Sequence, residues 1–525
     1  MAKKSRAKRG RTSAARTNNR KASNGKPAAP PAAKSAGPLP KALPPLLASA
    51  LVFVAAGAVL MLEILAVRLL APYVGLTLET TTAIIGAALG GIAVGAALGG
   101  YFADRTNTRL LIVGLLIVGG LLTLLTVPVV RWLGPGARGD GNLAALGITL
   151  LALVPAAAAL SAVSPAVAHL QLHDLRASGT VVGRLSGWGT AGALVGTFGT
   201  GFVLVPLLPV GATVLMIGIS LALVGIVLGI VSRLLSPAAV VGAAVAALVL
   251  SGLSASSDSP CDTETRYHCV RIEADPARLS SYNLLLDDGY HSYVDLSDPT
   301  YLEYPYSRWI ADAIDATSPP KAPLDVLFIG GGGFTLPRWL LATRPGSHAQ
   351  VLEVDGELVD FVKERLGLRA SPALQISVGD ARIDILDVES NSADVVVGDA
   401  FSSDSVPWHL ATVEWTEEVL RVLKSGGLYA INLIDYQPLN LVKAEAATLR
   451  DVFSDVRLVT YPGAGGEPYG SNLVLLASNR PLPKKTGSNA KGATTYDEEE
   501  VESLVAGAEV LRDDFAPADQ LMTTK

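Results

Sequence analysis

Four consecutive glycines, Gly330 to Gly333, follow directly on the apolar run Val326-Leu-Phe-Ile329. Glycine admits positive φ and lets bare backbone approach a ligand, so a strand that enters such a turn and leaves as a helix can cradle a nucleotide. About twenty residues further on, a second apolar run ends in Glu353-Val-Asp355; an acid at that strand end suits the two hydroxyls of a ribose. Asp399 ends a third run, Ala393-Asp-Val-Val-Val-Gly398. That spacing predicts a carboxylate at the carboxyl end of a central strand, facing the same crevice as the glycine turn. No cysteine or histidine constellation accompanies these residues, so neither a metal nor a covalent nucleophile is suggested.

A parallel-dominated sheet has to hold the three strand ends together. Runs at Asp325–Gly330, Gln350–Asp355, Leu374–Val378, Ala393–Asp399 and Leu428–Leu433, with late strands near Val456–Thr460 and Asn472–Ala477, alternate with helical stretches, the pattern of an α/β Rossmann-like domain over 321–480. Before it, short β-like runs at Arg266–Glu273, Tyr282–Leu286 and Tyr290–Leu296 and a helix at Tyr301–Ala316 make 255–320 a linker and small β region. Residues 481–525 are expected to be a flexible insertion, most of it by residue 500, and a C-terminal segment.

The first half differs in kind. Residues 1–46 carry twelve Lys or Arg and no acid among Ala, Ser, Asn and Pro, a basic disordered tail. From 47 to 254 long Ala/Leu/Val/Gly runs carry few charges, and spans of a membrane helical bundle are expected at about 47–71, 79–103, 109–132, 143–170, 185–207, 210–232 and 236–254. Up to residue 256 there are 20 basic and 5 acidic residues, against 22 and 42 beyond it. The tail holds the N-terminus in the cytoplasm, and Arg105, Arg109, Arg176, Arg184 and Arg233 fall in loops on that side, against Arg131 and Arg138 opposite. Seven spans then put the soluble half outside a multi-pass cell membrane protein. Gly91, Gly95 and Gly99, and Gly192 and Gly196, recur every four residues and let helices pack backbone to backbone. Glu63 and Arg68 lie toward the far end of the first span, where an ionisable group pairs, faces a cavity or snorkels. The acidic soluble half suits a solvated surface or a polycation, and no basic nucleic-acid patch is present.

Cys261 and Cys269 are the only cysteines. They fit a disulfide across a small hairpin, which persists in an oxidising compartment, better than a metal site lacking its other ligands.

Several motifs resemble the spermidine synthase (polyamine aminopropyltransferase) family, most of all its membrane-fused forms. They are Leu286-Asp-Asp-Gly289, Glu303-Tyr-Pro-Tyr306, Ile329-Gly-Gly-Gly-Gly333, Glu353-Val-Asp355, Gly379-Asp-Ala-Arg382, the stretch Gly398-Asp-Ala-Phe-Ser-Ser-Asp404 with its continuation to Leu410, Lys424-Ser-Gly-Gly427 and Asp513-Asp-Phe-Ala-Pro517. The resemblance implies a class I methyltransferase fold. It implies that Gly330, Gly331, Gly332 and Glu353 hold a nucleoside, that Asp380 and Ala381 meet adenine, and that Asp399 accepts a proton. Asp288, Glu303, Tyr306 and Asp404 would line the amine side. The co-substrate implied is decarboxylated S-adenosylmethionine, or S-adenosylmethionine, with no tightly bound cofactor; the acceptor is putrescine or a related polyamine. Homo-oligomerisation is left open.

Two departures bear on the substrate. Gly333 stands where soluble members of the family carry an aspartate, and Tyr306-Ser307-Arg308 replaces a pattern ending in an acid. Separately, Gly100-Tyr-Phe-Ala-Asp104-Arg105-Thr-Asn-Thr-Arg109 is similar to a cytoplasmic loop of major-facilitator transporters. Aminopropyl transfer is therefore the leading expectation. The alternatives are a methyltransferase of the same fold and a non-catalytic polyamine- or nucleoside-binding domain that regulates the bundle. An outside location conflicts with a donor made in the cytoplasm, and a missed span near Pro155 and Pro165 would reverse the side.

Overall fold

The computed structural model describes residues 42–75, 78–137, 141–172, 178–401, 405–464, 466–483 and 492–523. The basic tail, Arg138 and Arg176 lie outside that set.

The first half is helical. Helix α1 (Pro45–Val74) begins with proline in its first turn and ends at Gly75, whose φ of 69° closes the helix. It is followed by α2 (Leu78–Ala103) and α3 (Thr108–Leu133). The Asn107 side chain accepts from the N–H groups of Arg109 and Leu110 and so starts α3. Next come α4 (Gly141–Ala152), α5 (Val154–Ser161) and α6 (Val163–Gln171). Then α7 (Ser178–Gly199) runs through a π-helical turn, Thr200–Leu204, into α8 (Val205–Leu207). The bundle closes with α9 (Val210–Val231) and α10 (Pro237–Ser256).

Six of the described helices are long and apolar enough to cross a membrane, and α4 with α5 and α6 would make a seventh span bent by 46°. Where a single straight span is expected over 143–170, the helix is broken around Leu153 and Ala162, next to the prolines at 155 and 165. A bend of this size does not return the chain to the end it came from. At the finish of α6, Gln171 Nε2 donates to Leu43 O at 2.9 Å and His169 lies 3.6 Å from Asp104, so this end meets the start of α1 and the α2–α3 turn. With the bent pair taken as one span, the described helices cross the bundle seven times.

Glycine permits the closest helix contacts. A Cβ on Gly95 would lie 2.1 Å from Ala158 O, and one on Gly192 2.1 Å from Phe53 O. Backbones this near leave no room for a side chain.

The second half starts with a four-stranded antiparallel sheet, β1 (Thr263–Glu264), β2 (Cys269–Ala274), β3 (Ser281–Leu286) and β4 (Gly289–Asp295), paired in that order. After α11 (Pro305–Thr317) comes the larger sheet: β5 (Asp325–Ile329), β6 (His348–Glu353), β7 (Leu374–Val378), β8 (Ala393–Gly398), β9 (Leu423–Asp435), β10 (Asp455–Thr460), β11 (Ser471–Ser478) and β12 (Thr494–Tyr496). Their order is β12-β10-β11-β9-β8-β5-β6-β7. Strands β7, β6, β5, β8 and β9 are parallel, and β11 runs against both of its neighbours. This is the class I methyltransferase-like Rossmann arrangement. Helices α12 (Thr335–Thr343), α13 (Gly356–Arg365), α14 (Ala381–Asp384), α15 (Val413–Val422) and α16 (Asn440–Val452) complete it.

Apolar side chains fill both faces of the large sheet. Trp309, Phe328, Phe334 and Val351 share one cluster with Val270, Leu284 and Val294 of the small sheet, and Trp415, Ile329, Val396 and Leu473 belong to the other. The small sheet is therefore packed into the domain core. The expected insertion also contributes structure, because Thr494–Tyr496 pairs with β10 at the sheet edge.

Candidate functional site

The sheet order reverses between β5 and β8. From β5 the chain moves outward to β6 and β7, then returns to lay β8 on the other side. Helices on opposite faces leave a crevice at the carboxyl ends of strands at such a switch point. Gly330 and Asp399, which follow directly on β5 and β8, meet there. Gly330 has φ 92°, and a Cβ on it would lie 2.5 Å from Asp399 O. Only glycine lets the two strand ends come this close.

Glu353, at the end of β6, organises the turn. Its Oε2 accepts from Gly331 N at 2.7 Å and Gly332 N at 3.3 Å, and its Oε1 from Asp355 N at 2.9 Å. Burial raises the Glu353 carboxyl above its usual range, and these three N–H donors oppose the rise. Asp380 caps α14 by accepting from Arg382 N at 2.9 Å, and its carboxylate lies 3.4 Å from His409 Nε2. Gly330, Gly331, Gly332, Glu353, Asp380, Ala381 and Asp399 all line one cavity of about 640 Å³. A cavity of that size with a few convergent polar groups suits a small ligand.

Asp399 also lines a second cavity of about 400 Å³, as do Gly332, His291 and Phe401. The carboxylate thus stands in the wall the two spaces share. Asn432 Nδ2 donates to its Oδ1 at 2.9 Å and the Tyr306 hydroxyl to its Oδ2 at 3.2 Å. Burial pushes the Asp399 carboxyl up to about 7 despite these two donors. His291, beside it, is pushed down to about 4 by burial and by His268, so it is a neutral wall at physiological pH.

Of the residues expected on the amine side, Tyr306 alone among those described lines the second cavity. Asp404 lies outside the described residues. Asp288 is turned the other way: it is exposed in the β3–β4 turn, and its carboxylate lies against Gly75 at the end of α1. Glu303 accepts from the Tyr301 hydroxyl and pairs with Arg308 at 3.8 Å, outside both cavities. Arg308 is correspondingly no intruding cation. Its Nε donates to Leu302 O at 2.6 Å and its Nη2 to Glu303 O, which holds it on the main chain. Gly333 is crowded: a Cβ there would lie 2.8 Å from both Ser292 Cβ and Val294 Cγ2.

Other residues of the second cavity gave weaker signals or none. Asn432 and Asn472, which bond each other at 3.1 Å, are polar interruptions in apolar strands and could have been singled out on that ground. Met522 and Thr523 reach the cavity from the far C-terminus, with Thr523 N donating to Asp435 at 2.9 Å. No local pattern announces them.

The wall of the larger cavity nearest the bundle is the β1–β2 loop, through Arg266, Tyr267 and His268. Cys261 and Cys269 bracket this loop as a disulfide, with Cα atoms 5.3 Å apart. Among the described residues, no group of His, Cys, Asp and Glu could hold a metal ion.

No protein-family model matches the chain. It is 29% identical over 168 residues to the polyamine aminopropyltransferase of Vibrio vulnificus, a match covering 32% of this chain and 54% of that protein. It is 26% identical over 130 residues to the eEF1A lysine and N-terminal methyltransferase of Danio rerio, covering 23% of this chain and 19% of the other. The chain therefore spans about half or less of the length of these relatives. Among solved structures, a probable spermidine synthase from Corynebacterium glutamicum aligns with a TM-score of 0.45 and 28% identity, over 49% of this chain and 96% of that one. The chain is thus similar in sequence, over about a third of its length, to a polyamine aminopropyltransferase and, over a shorter stretch, to a methyltransferase.

Proposed function

We propose that the chain is an integral membrane transferase of the spermidine synthase-like type, moving an aminopropyl group from decarboxylated S-adenosylmethionine to an amine. The observation that carries this is Asp399, a half-buried carboxylate in the wall between two adjoining cavities with its proton affinity raised to about 7. The larger cavity takes the nucleoside. Glu353 and the glycine turn hold the ribose, and Asp380 with Ala381 meets adenine.

The smaller cavity takes the acceptor. An amine arrives as an ammonium and has no lone pair for attack until it loses a proton. Asp399 accepts that proton, and a base with pKa near the working pH suits the transfer. The freed nitrogen then forms a bond to the carbon attached to the donor's sulfonium. The carbon–sulfur bond breaks, its electron pair stays on sulfur, and 5′-methylthioadenosine leaves neutral. Asn432 and Tyr306 orient the carboxylate through their hydrogen bonds.

One observation favours methyl transfer on the same scaffold. Gly333 offers no acid to anchor the amino end of an aminopropyl arm, and Ser292 and Val294 leave no room for one without a shift. Purified full-length protein incubated with decarboxylated S-adenosylmethionine and a panel of amines should release methylthioadenosine. If it instead gives S-adenosylhomocysteine from S-adenosylmethionine, the activity is a methyltransferase. Nucleoside binding without turnover of either donor would make the soluble half a binding domain.

The helical half is the membrane anchor. Arg105, Arg109, Arg184 and Arg233 lie at or near the bundle end away from the soluble half, a charge bias that favours that end in the cytoplasm. The soluble half, with its disulfide, is then outside, and a donor made in the cytoplasm has to cross the membrane to reach it.

A further inference from the structure

A continuous hydrogen-bonded path leads from the first helix of the bundle to the glycine turn. Arg68, in the last two turns of α1, donates through Nη2 to Thr265 O at 2.6 Å and through Nη1 to Arg266 O. The Thr265 hydroxyl donates to Asp355 Oδ2 at 2.5 Å and accepts from Tyr267 N at 3.1 Å and His268 N at 2.9 Å. One donated and two accepted bonds use the whole capacity of a hydroxyl. Asp355 caps α13 through Glu357 N and Leu358 N, each at 3.1 Å, and its own N–H donates to Glu353 Oε1. The other oxygen of Glu353 holds Gly331 and Gly332. A second tie runs beside the first, from Arg266 N to Glu357 Oε2 at 2.7 Å.

We propose that Arg68 is a positioning residue for the nucleoside site, so that the affinity of the soluble half for an adenosyl nucleoside is set by the end of a membrane helix. The proposal rests on reading the larger cavity as that site. A guanidinium presents a rigid fork of donors and can hold two successive carbonyls at once, which a single ammonium does less well. With both carbonyls held, the loop fixes Tyr267 and His268 in the cavity wall and the Thr265 hydroxyl on Asp355. Without them the loop keeps its disulfide, its ties to α13, the contact of His268 with Asp287 and the bond from Val210 N to Glu264, none of which holds the Thr265 and Arg266 carbonyls. A shift of α1 would be felt at Glu353 through the same bonds.

Titration of full-length protein with methylthioadenosine tests this. Arg68→Met should weaken binding about tenfold, within the range that couplings through packed networks reach. Arg68→Lys should recover part of the loss. Arg131→Met should stay within about twofold of wild type; Arg131 lies at the same end of the bundle, donating to Ser257 O at 2.5 Å at the end of α10, but is off the path. Since Arg68 and Thr265 act in one chain, Arg68→Met with Thr265→Val should lose little more than the worse single change. Unchanged binding in Arg68→Met, an equal loss in Arg131→Met, or strict additivity would each overturn the proposal. Should wild type bind no nucleoside, it is the site reading that fails, and amide exchange of the ligand-free protein decides the coupling: Arg68→Met must speed exchange at Gly331 and Gly332, whereas exchange equal to wild type removes the path.

Discussion

Asp399 is under two opposed demands. Burial raises its proton affinity, which suits a base but penalises the folded state once the carboxyl must ionise. Its folded pKa of about 7 lies above the unfolded value of about 4, so the folded form binds more protons between these limits. The stability it contributes is therefore present below about pH 4 and is lost as pH rises to about 7. Asp399→Asn should flatten that part of the pH–stability curve and raise the thermal midpoint at pH 8 more than at pH 5, as calorimetry at the two pH values would show. The same change should lower turnover by ~10²- to 10⁴-fold and leave nucleoside affinity nearly unaltered, since ribose and adenine are held elsewhere. Turnover within a few-fold of wild type would end the assignment of Asp399 as base. Wild-type rates should climb with an acid-limb midpoint near 7. Glu353 answers to a different assay. Because it holds both the turn and, in the proposed complex, the ribose, Glu353→Ala should weaken methylthioadenosine binding by about 2 kcal/mol or more. Equal affinities in a titration would remove it from the pocket.

Strand ends and turns set how close these side chains come. Gly330 combines positive φ with a 2.5 Å approach to Asp399 O, so Gly330→Ala meets both backbone strain and a clash with main chain that cannot swing aside. It should cost more than about 2 kcal/mol in denaturant unfolding of the soluble half's transition. A cost below about 0.5 kcal/mol would mean that the turn is not held as described. The fold of this half is largely legible from its elements: the glycine turn, the acid ending β6 and the apolar run ending in Asp399 each announce themselves locally. The amine side is not. Asp288 and Glu303 carry the right charge in the right motifs, yet one points at Gly75 and the other pairs with Arg308. Strand twist and the geometry of a two-residue turn decide which of two neighbouring polar residues enters a cleft. Asn432 reaches Asp399 through the pairing of β9 with β8, a contact between residues 33 positions apart.

For the molecule as a whole, the decisive quantity is the number of crossings. If the bent α4–α6 counts as one span, the described helices make seven crossings, and the proposed orientation, with the basic loops in the cytoplasm, has the soluble half outside. Cys261 and Cys269 should accordingly resist a thiol reagent on intact cells and become reactive from the outside after reduction. Labelling that requires lysis, with both thiols free beforehand, would put the soluble half in the cytoplasm and undo this orientation. Under the proposed Arg68 path, the bundle would set the shape of the site it carries.

Sequence alone determined the properties that depend on local pattern: apolar stretches long enough to span, glycine spacing for close helix packing, the strand–helix alternation, and the cradle made by Gly330 to Gly332 with Glu353. Each follows from residues near one another in the chain, where periodicity and backbone preference act directly. Tertiary structure decided what depends on distant pieces meeting. It bent the α4–α6 stretch, brought Met522 and Thr523 to the second cavity, turned Arg308 onto carbonyls, and gave Arg68 partners almost two hundred residues away. A polar side chain's role is fixed by the partners that compensate its desolvation, and those partners are chosen by the packing of whole elements.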